Sequence, residues 1–412
     1  MVGPVNRVVD VLVVGAGPAG LAAAARLAAT GGGRYRIEVL EREPEAGGVP
    51  RHCAHGGFGL ADLRRPLDGP GYARRLVRAA HGAGASVRTG VSATGWAGPL
   101  TLDVTAPTGL ERITARAVVL ATGARERPRS ARLVPGTRPA GVLTTGELQQ
   151  SVDTYGVRRE RLGRRAVLIG AEPVAHHAAR VLRRAQVDVV AMVTEQPRGP
   201  RRFGDPAPPP LLAGATVTEL LGRGRLAGIR VRHADGRSST IRCDTVVFTG
   251  DWIPDHELAR AGGVPLDAGT RGPAVDGSFR TASAGIFAAG NVLRGIESAG
   301  AAAAEGRGAA DAVLRYLSGE HWPVSAVPLT AEEPVAWVAP NRVADAADAR
   351  SFLLRVREPL TRPLVEVSQD GRLLHRGRLL GTAWPHRSVR LSGGWAREVD
   401  PAGGPVEVRA TV

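Results

Sequence analysis

Three glycines and one acid carry the first recognisable chemistry in the chain. Gly15, Gly17 and Gly20 stand in VLVVGAGPAG at 11–20, and Glu41 follows 21 residues after Gly20. Between an apolar run and an alanine-rich one, this spacing is a phosphate cradle. Gly15 allows the tight turn, Gly17 lets backbone approach a pyrophosphate, and Gly20 permits close helix–strand packing. The helix opening there aims free N–H groups at the phosphates, and Pro18 suits its first turn because a missing N–H is no loss. Glu41 closes a second apolar run at 36–41, where a carboxylate binds a ribose hydroxyl. A glycine turn without a ligand is the alternative for the triplet alone; the acid at 41 opposes it.

The same order recurs later with one change. Gly170-Ala-Glu-Pro-Val-Ala175 follows the apolar run 165–170, and Glu195 ends the next run, but Glu172 stands where the middle glycine belongs. A carboxylate there opposes a diphosphate in size and in charge. The second turn is therefore expected to be structural or to hold another adenine nucleotide such as ATP. NAD(P)H, with Glu195 on a ribose, is the alternative.

His52, Cys53 and His55 cluster in VPRHCAHGG. They are candidates for acid/base or nucleophilic work; otherwise Cys53 is a small buried filler and the histidines are hydrogen-bonded loop residues. The sequence has two cysteines, Cys53 and Cys243, and no C-x-x-C pair, which excludes a four-cysteine iron–sulfur centre or zinc knuckle within it. Sparse cysteine usage fits a reducing compartment. Cys243 alternates with Ile241 and reads as core, and His177, on the face of Val174 and Val181, reads as a packing residue. No His/Asp/Glu spacing resembles a metal site, and no G-x-S-x-G elbow appears. Arg125, Arg127, Arg129 and Arg132 read as a solvated basic face, with contact to phosphates or an acidic partner as the alternative.

The elements that must position these residues repeat as a unit. Strand, glycine turn, helix and acid-ended strand are followed by a hairpin and a strand ending in Thr-Gly, first at Thr122–Gly123 and again at Thr249–Gly250. The first hairpin turns at 107–109 and the second at Asp235–Gly236. A helix is expected over 64–82. A further strand in 283–291 ends at Gly290–Asn291 and leads into a small-residue helix at 298–317, so the second unit is nested within the first. A proline-rich loop at 206–210, a linker at 323–334 and short alternating strands to residue 412 complete the chain. The expected fold class is α/β, with two nested Rossmann-like dinucleotide-binding domains, each a parallel sheet plus hairpin or meander, and a small β-rich C-terminal domain. The expected limits are 1–135 and 256–322 for the first domain, 136–255 for the second and 323–412 for the last.

With 412 residues, 43% of them hydrophobic, the chain can bury two or three domain cores. Its net charge of +15 would suit a nucleic acid, yet all 54 basic residues are arginines, scattered and with few aromatics between them. That looks like a genome-wide residue preference rather than a base-stacking platform. Residues 7–28 mimic a secretory signal, but Asp10 and Arg26 leave 15 uncharged residues between them, too few to span a bilayer. A retained N-terminus and a cytoplasmic location, without nucleic acid or membrane insertion, are expected.

VLVVGAGPAGLAAA, Glu41, VVLATGARERP, the nested second unit and TASAGIFAAGN together resemble the two-dinucleotide-domain flavoproteins of the pyridine nucleotide–disulfide oxidoreductase superfamily, over roughly 9–317. AGGVPRHCAHGGFG and PRSARLVPGTRPAGVLTTGELQ are most similar to the FAD-containing alpha subunits of hydrogen cyanide synthase, opine oxidase and hydroxyproline/proline dehydrogenases, and to sarcosine oxidase alpha chains. The resemblance implies an FAD-dependent oxidoreductase. It implies FAD held by Gly15, Ala16, Gly17, Pro18, Ala19 and Gly20, by Glu41 and Arg42, by Gly48 and Val49, by Ala121, Thr122 and Gly123, and by Gly290 and Asn291. It implies as partners a substrate-oxidising flavoprotein subunit, together with a small iron–sulfur subunit. The superfamily has Asp where Asn291 stands, a change an amide tolerates. Without a cysteine pair, disulfide chemistry is excluded, and any iron–sulfur relay belongs to another chain. A stand-alone NAD(P)H-dependent reductase and a non-catalytic nucleotide-binding scaffold are the alternatives.

Overall fold

The computed structural model describes residues 3–196, 208–344 and 351–412; of the expected proline-rich loop, 206 and 207 lie outside the described residues. Strand Val11–Val14 is wholly buried and sits at the centre of a five-stranded parallel sheet. The order is Ile286–Ala288, Ala117–Leu120, Val11–Val14, Ile37–Glu41, Ser86–Thr89. Its first strand arrives from beyond the whole second unit, so nesting is built into the sheet. Four-residue apolar strands of this kind belong in sheets covered on both faces. Here helices Pro18–Gly31, Gly69–Gly82 and Ala299–Leu317 cover one face, and the meander Val5–Val8, Gly109–Thr114, Thr101–Ala106, Ser92–Gly98 covers the other.

The small residues of Ala299–Leu317 have a packing reason. A Cβ on Gly306 would come within 2.0 Å of the Ala19 carbonyl oxygen, so the two helices touch backbone to backbone. Ser298 caps this helix by accepting from the Ala301 N–H at 3.2 Å.

The second unit repeats the plan. Val142–Thr144, Thr245–Phe248, Arg165–Ile169, Asp188–Thr194 and Leu211–Ala213 form its parallel sheet, helix Pro173–Arg184 packs on it, and Ala215–Arg223, Arg225–His233 and Ser238–Ile241 form its antiparallel layer. The units are joined where Ala124–Glu126 pairs antiparallel with Trp252–Pro254. The last part of the chain is all β, with sheets of five and three strands around a core in which Phe352 stacks on Trp395 at 4.5 Å.

Three expectations need correction. The helix expected over 64–82 begins at Gly69, because Pro66 precedes it and Asp68 caps it by accepting from the Gly71 N–H at 2.6 Å. The supposed linker 323–334 contains strand Val327–Ala331, which pairs in parallel with Val406–Thr411. The four arginines are not a solvated face. Arg125 bonds Asp255 and Glu257, Arg127 bonds Asp251, Arg129 donates to the carbonyls of 134–137, and Arg132 donates to those of Thr249 and Gly250. Arg125, Arg127 and Arg132 fasten the joint between the units, and Arg129 ties up its own loop.

Candidate functional site

The carboxyl ends of the first sheet open into a cavity of about 560 Å³ that the second unit roofs. That volume lies within the range of small-molecule sites, and its place is the crevice where open α/β sheets bind ligands. Across the sheet the strand ends bring Asn291, Thr122, Gly15 and Glu41 into a row, in that order.

The cradle has room where a phosphate needs it. A Cβ on Gly15, whose φ is +104°, would lie 2.4 Å from the Ala121 carbonyl oxygen, and one on Gly20 would lie 1.9 Å from that of Gly15. These glycines make the turn and its close packing. At Gly17 a Cβ would meet nothing within 4 Å, and helix Pro18–Gly31 starts there without a side-chain cap. An uncapped helix end facing open space is suited to an anion. A dinucleotide therefore fits the residues present.

Of the sequence-derived binding set, Gly15, Gly17, Pro18, Ala19, Glu41, Arg42, Gly48, Val49, Ala121, Thr122, Gly123 and Asn291 line the cavity. Ala16, Gly20 and Gly290 do not; they lie behind it. Ala16 donates its N–H to Glu41 Oε2 at 3.0 Å, and the Glu43 N–H donates to Oε1 at 3.0 Å, so the carboxylate is fixed facing the cavity by backbone. Gly290 packs against Ala19, where a Cβ would come within 2.6 Å of its Cβ. Asn291 brackets a turn, accepting from the Glu297 N–H at 2.9 Å and donating to its carbonyl at 3.3 Å.

Chemistry at the candidates His52, Cys53 and His55 divides. His52 is outside the cavity wall, its Nδ1 2.8 Å from Thr154 Oγ1. Cys53 lines the wall but is buried, and burial, then the charges of Asp153 and Glu126, push its thiol up to about 12. A thiol so disposed is no nucleophile at neutral pH. His55 lines the cavity, with Nδ1 2.8 Å from the Gly56 carbonyl and its ring stacked on His177 at 3.9 Å. His177 thus packs, as its helical face suggested, but against His55 across the joint between units. Both cysteines are free thiols.

Several lining residues had no local signature. Gln149, Val174 and His177 come from the second unit, and Trp252, Asp255 and Glu257 from the joint. The Thr122 hydroxyl donates to the Asp255 carbonyl at 2.6 Å, and the Asp255 N–H donates to that of Gly123 at 2.9 Å, which locks Thr122–Gly123 to this segment. Burial raises the Asp255 carboxyl, whereas the Arg125 guanidinium holds Glu257 down to about 2.

The second fingerprint is built differently. Glu172 turns its carboxylate back into its own cradle. A Cβ on Gly170 would meet Glu172 Oε2 at 2.6 Å, and one on Gly250 would meet Oε1 at 3.0 Å. The Ala171 N–H donates to Oε2 at 3.0 Å, while Oε1 is buried and accepts no hydrogen bond. Burial raises this carboxyl well above the usual range. In this conformation the Glu172 side chain occupies the turn at the end of helix Pro173–Arg184, where the first unit has open space at Gly17. Glu195 lies exposed just past strand Asp188–Thr194. Among the described residues, no helix is long and apolar enough to cross a membrane, and no group of three His, Cys, Asp or Glu could hold a metal ion.

Comparison with known proteins agrees with this geometry. The chain is 30% identical over 80% of its length to the sarcosine oxidase alpha subunit of Rhizobium meliloti (strain 1021), and 32% over 75% to an opine oxidase subunit of Agrobacterium tumefaciens (strain Ach5). It spans 33% and 66% of those proteins' own lengths. Thioredoxin reductase of T. acidophilum shares the fold, with a TM-score of 0.61 and 24% identity over 76% of this chain and 100% of that one. The family model for pyridine nucleotide-disulphide oxidoreductase matches residues 9–208 and 210–306, the two nested units that carry the cradle and its altered copy. The chain belongs to the pyridine nucleotide-disulphide oxidoreductase family, and its open first cradle fits the FAD that this family implies.

Proposed function

We propose that the chain is the flavin-bearing subunit of a multi-component dehydrogenase for an amino acid, amine or hydroxy acid. Its partners would be a substrate-oxidising flavoprotein subunit, together with a small iron–sulfur subunit. The observation that carries this reading is the Glu172 carboxylate lodged beside Gly170 and Gly250, where the diphosphate of a second dinucleotide would lie, so that it opposes NAD(P)H as the flavin's reductant.

In this reading the domains divide at 135, 255 and 322. Adenosine lies at Glu41 and Arg42, pyrophosphate at Gly15, Gly17 and the helix start at Pro18, and the flavin end toward Val49, Thr122 and Asn291. FAD bound there supplies two-electron redox chemistry. The chain's own residues position and enclose it. Helix Ala299–Leu317 turns its N-terminal end to the cavity, where its partial positive charge favours negative charge. Cys53 keeps its proton and serves as wall, and the second unit roofs the cavity as a scaffold.

The test is purification with FAD followed by anaerobic mixing. Photoreduced protein is expected to pass electrons to a dye or to co-purified partner chains, and oxidised protein to keep its colour with NADH or NADPH. Prompt bleaching by either nucleotide would overturn the reading, as would protein that cannot be loaded with FAD.

A further inference from the structure

The β-rich part of the chain lies beyond the family match, which ends at residue 306, and the two nucleotide units give it no task. One of its side chains nevertheless reaches the wall of the cavity. Arg355, in strand Ser351–Val356, donates from Nη1 to the Gly295 carbonyl at 3.1 Å and from Nη2 to the Ile296 carbonyl at 3.2 Å. The same Nη2 reaches Glu297 Oε1 at 3.2 Å and Ser388 Oγ at 2.9 Å. The Ser388 hydroxyl donates to that Glu297 oxygen as well. Behind the guanidinium lies Trp337, whose ring centre is 4.9 Å from Arg355 and 5.7 Å from Arg294. Arg294 in turn bonds Glu305, which accepts the Gly290 N–H at 3.0 Å.

The gripped segment is part of the site. Ile296 and Glu297 line the cavity, Asn291 brackets Glu297 through its amide, and Ser298 begins the helix whose positive end faces the cavity. A planar guanidinium reaches these acceptors from two nitrogens held in a fixed fork, a geometry that the single nitrogen of an ammonium does not reproduce. Without it, two part-buried carbonyls would lose their partner and the turn would be less firmly held.

We infer that the C-terminal β-domain is a working wall of the cofactor site, and that Arg355 is a positioning residue that presets the turn 295–298 against the flavin end of FAD. This rests on the reading that FAD lies in the cavity with its flavin toward Asn291. The turn carries both the Asn291 contact and the helix start, so Arg355 acts on the flavin through them.

The test uses the full chain reconstituted with FAD. Readouts are the FAD dissociation constant, the visible circular dichroism of saturated protein and the flavin midpoint potential. Arg355→Met is expected to weaken FAD by about tenfold, the equivalent of about one hydrogen-bonded group lost, and to change the dichroism even when saturated. Arg355→Lys is expected not to restore either. Ser388→Ala, a milder change, is expected to move both in the same direction by about two- to threefold in affinity. Arg409→Met, on an exposed Glu366 pair of the same domain, is expected to change neither. If the Arg355 variants lower the melting temperature but bind FAD within twofold of wild type with superimposable dichroism and potential, the arginine only joins two domains and the inference falls. Should Arg355→Met fail to fold, Ser388→Ala and Arg355→Lys decide by the same criteria. A wild-type protein that takes up no FAD would instead remove the reading beneath the inference, and that result differs from any confined to the variants.

Discussion

Replacing Glu172 with glycine would restore to the second unit the spacing the first unit has, and its effect can be worked from the cradle. The carboxylate oxygens lie 2.6 and 3.0 Å from where a Gly170 Cβ would sit, and one lies 3.0 Å from the corresponding point on Gly250. Where the pH is high enough to ionise the Glu172 carboxyl, a diphosphate in that turn would bring a negative charge to about 4 Å from it, which costs about 4 kcal/mol at an effective dielectric constant of 20. Such a difference is about a thousandfold in binding. Glu172→Gly also frees the Ala171 N–H, now held by Oε2 at 3.0 Å, to donate to a phosphate. NADH or NADPH is therefore expected to bind the variant about a thousandfold more tightly than wild type at a pH that ionises Glu172, and by less below it, where the protonated side chain opposes the diphosphate by bulk alone. Glu172→Gln, which keeps the bulk and removes the charge, should fall between them. Isothermal titration reads the affinities, and anaerobic stopped-flow at the flavin band reads whether the bound nucleotide delivers electrons. A folded Glu172→Gly protein that binds neither nucleotide better than wild type would refute the reasoning.

The mirror experiment is Gly17→Asp. At φ −80° and ψ −174° with nothing within 4 Å of its Cβ, this helix-capping position accepts a side chain without strain, so the melting temperature should hold while FAD is lost by about a thousandfold. Glu172→Gln should also change the stability profile. The native carboxyl is raised from its ordinary 4.5, so the stability tied to its proton is full below that value and is lost as pH rises. Thermal melts should accordingly favour the glutamine variant at pH 8 and converge with wild type near pH 4; the opposite trend would contradict the buried carboxyl. Cys53, with its thiol at about 12, should react with a thiol reagent at pH 8 only as the protein unfolds, and Cys53→Ala should still bind FAD.

Much of this architecture is legible in the sequence because it depends on local rules. The glycine turns, the acid at Glu41 and the Thr-Gly strand ends sit at fixed offsets within short stretches, and the structure puts most of them around one cavity. What could not be read depends on partners far along the chain. Strand Val327–Ala331 passes for a linker because its parallel partner Val406–Thr411 comes only after several other strands. The arginines at 125–132 look solvated until Asp251, Asp255 and Glu257 arrive from the end of the second unit. His177 shares a helical face with core residues, yet that face reaches past the sheet to His55. The behaviour of Glu172 lies between these cases: the sequence marks the clash with a diphosphate, but not that the side chain would fold inward to occupy the vacancy.

The pairing of Val406–Thr411 has a bearing on synthesis. This strand lies between Val327–Ala331 and Leu364–Gln369, at the middle of its sheet. A nascent chain that has emerged only to residue 400 can already form both nucleotide units, yet the strands on either side of the missing one have nothing to join them. The sheet closes only when Val406–Thr411 threads in between. Stalled or nicked chains would then present two unpaired strand edges, the kind of surface that proteolysis and aggregation select. Arrival of this strand would thus be sensed in the same domain that grips the turn 295–298, so that cofactor retention would distinguish chains that have closed the sheet from those that have not.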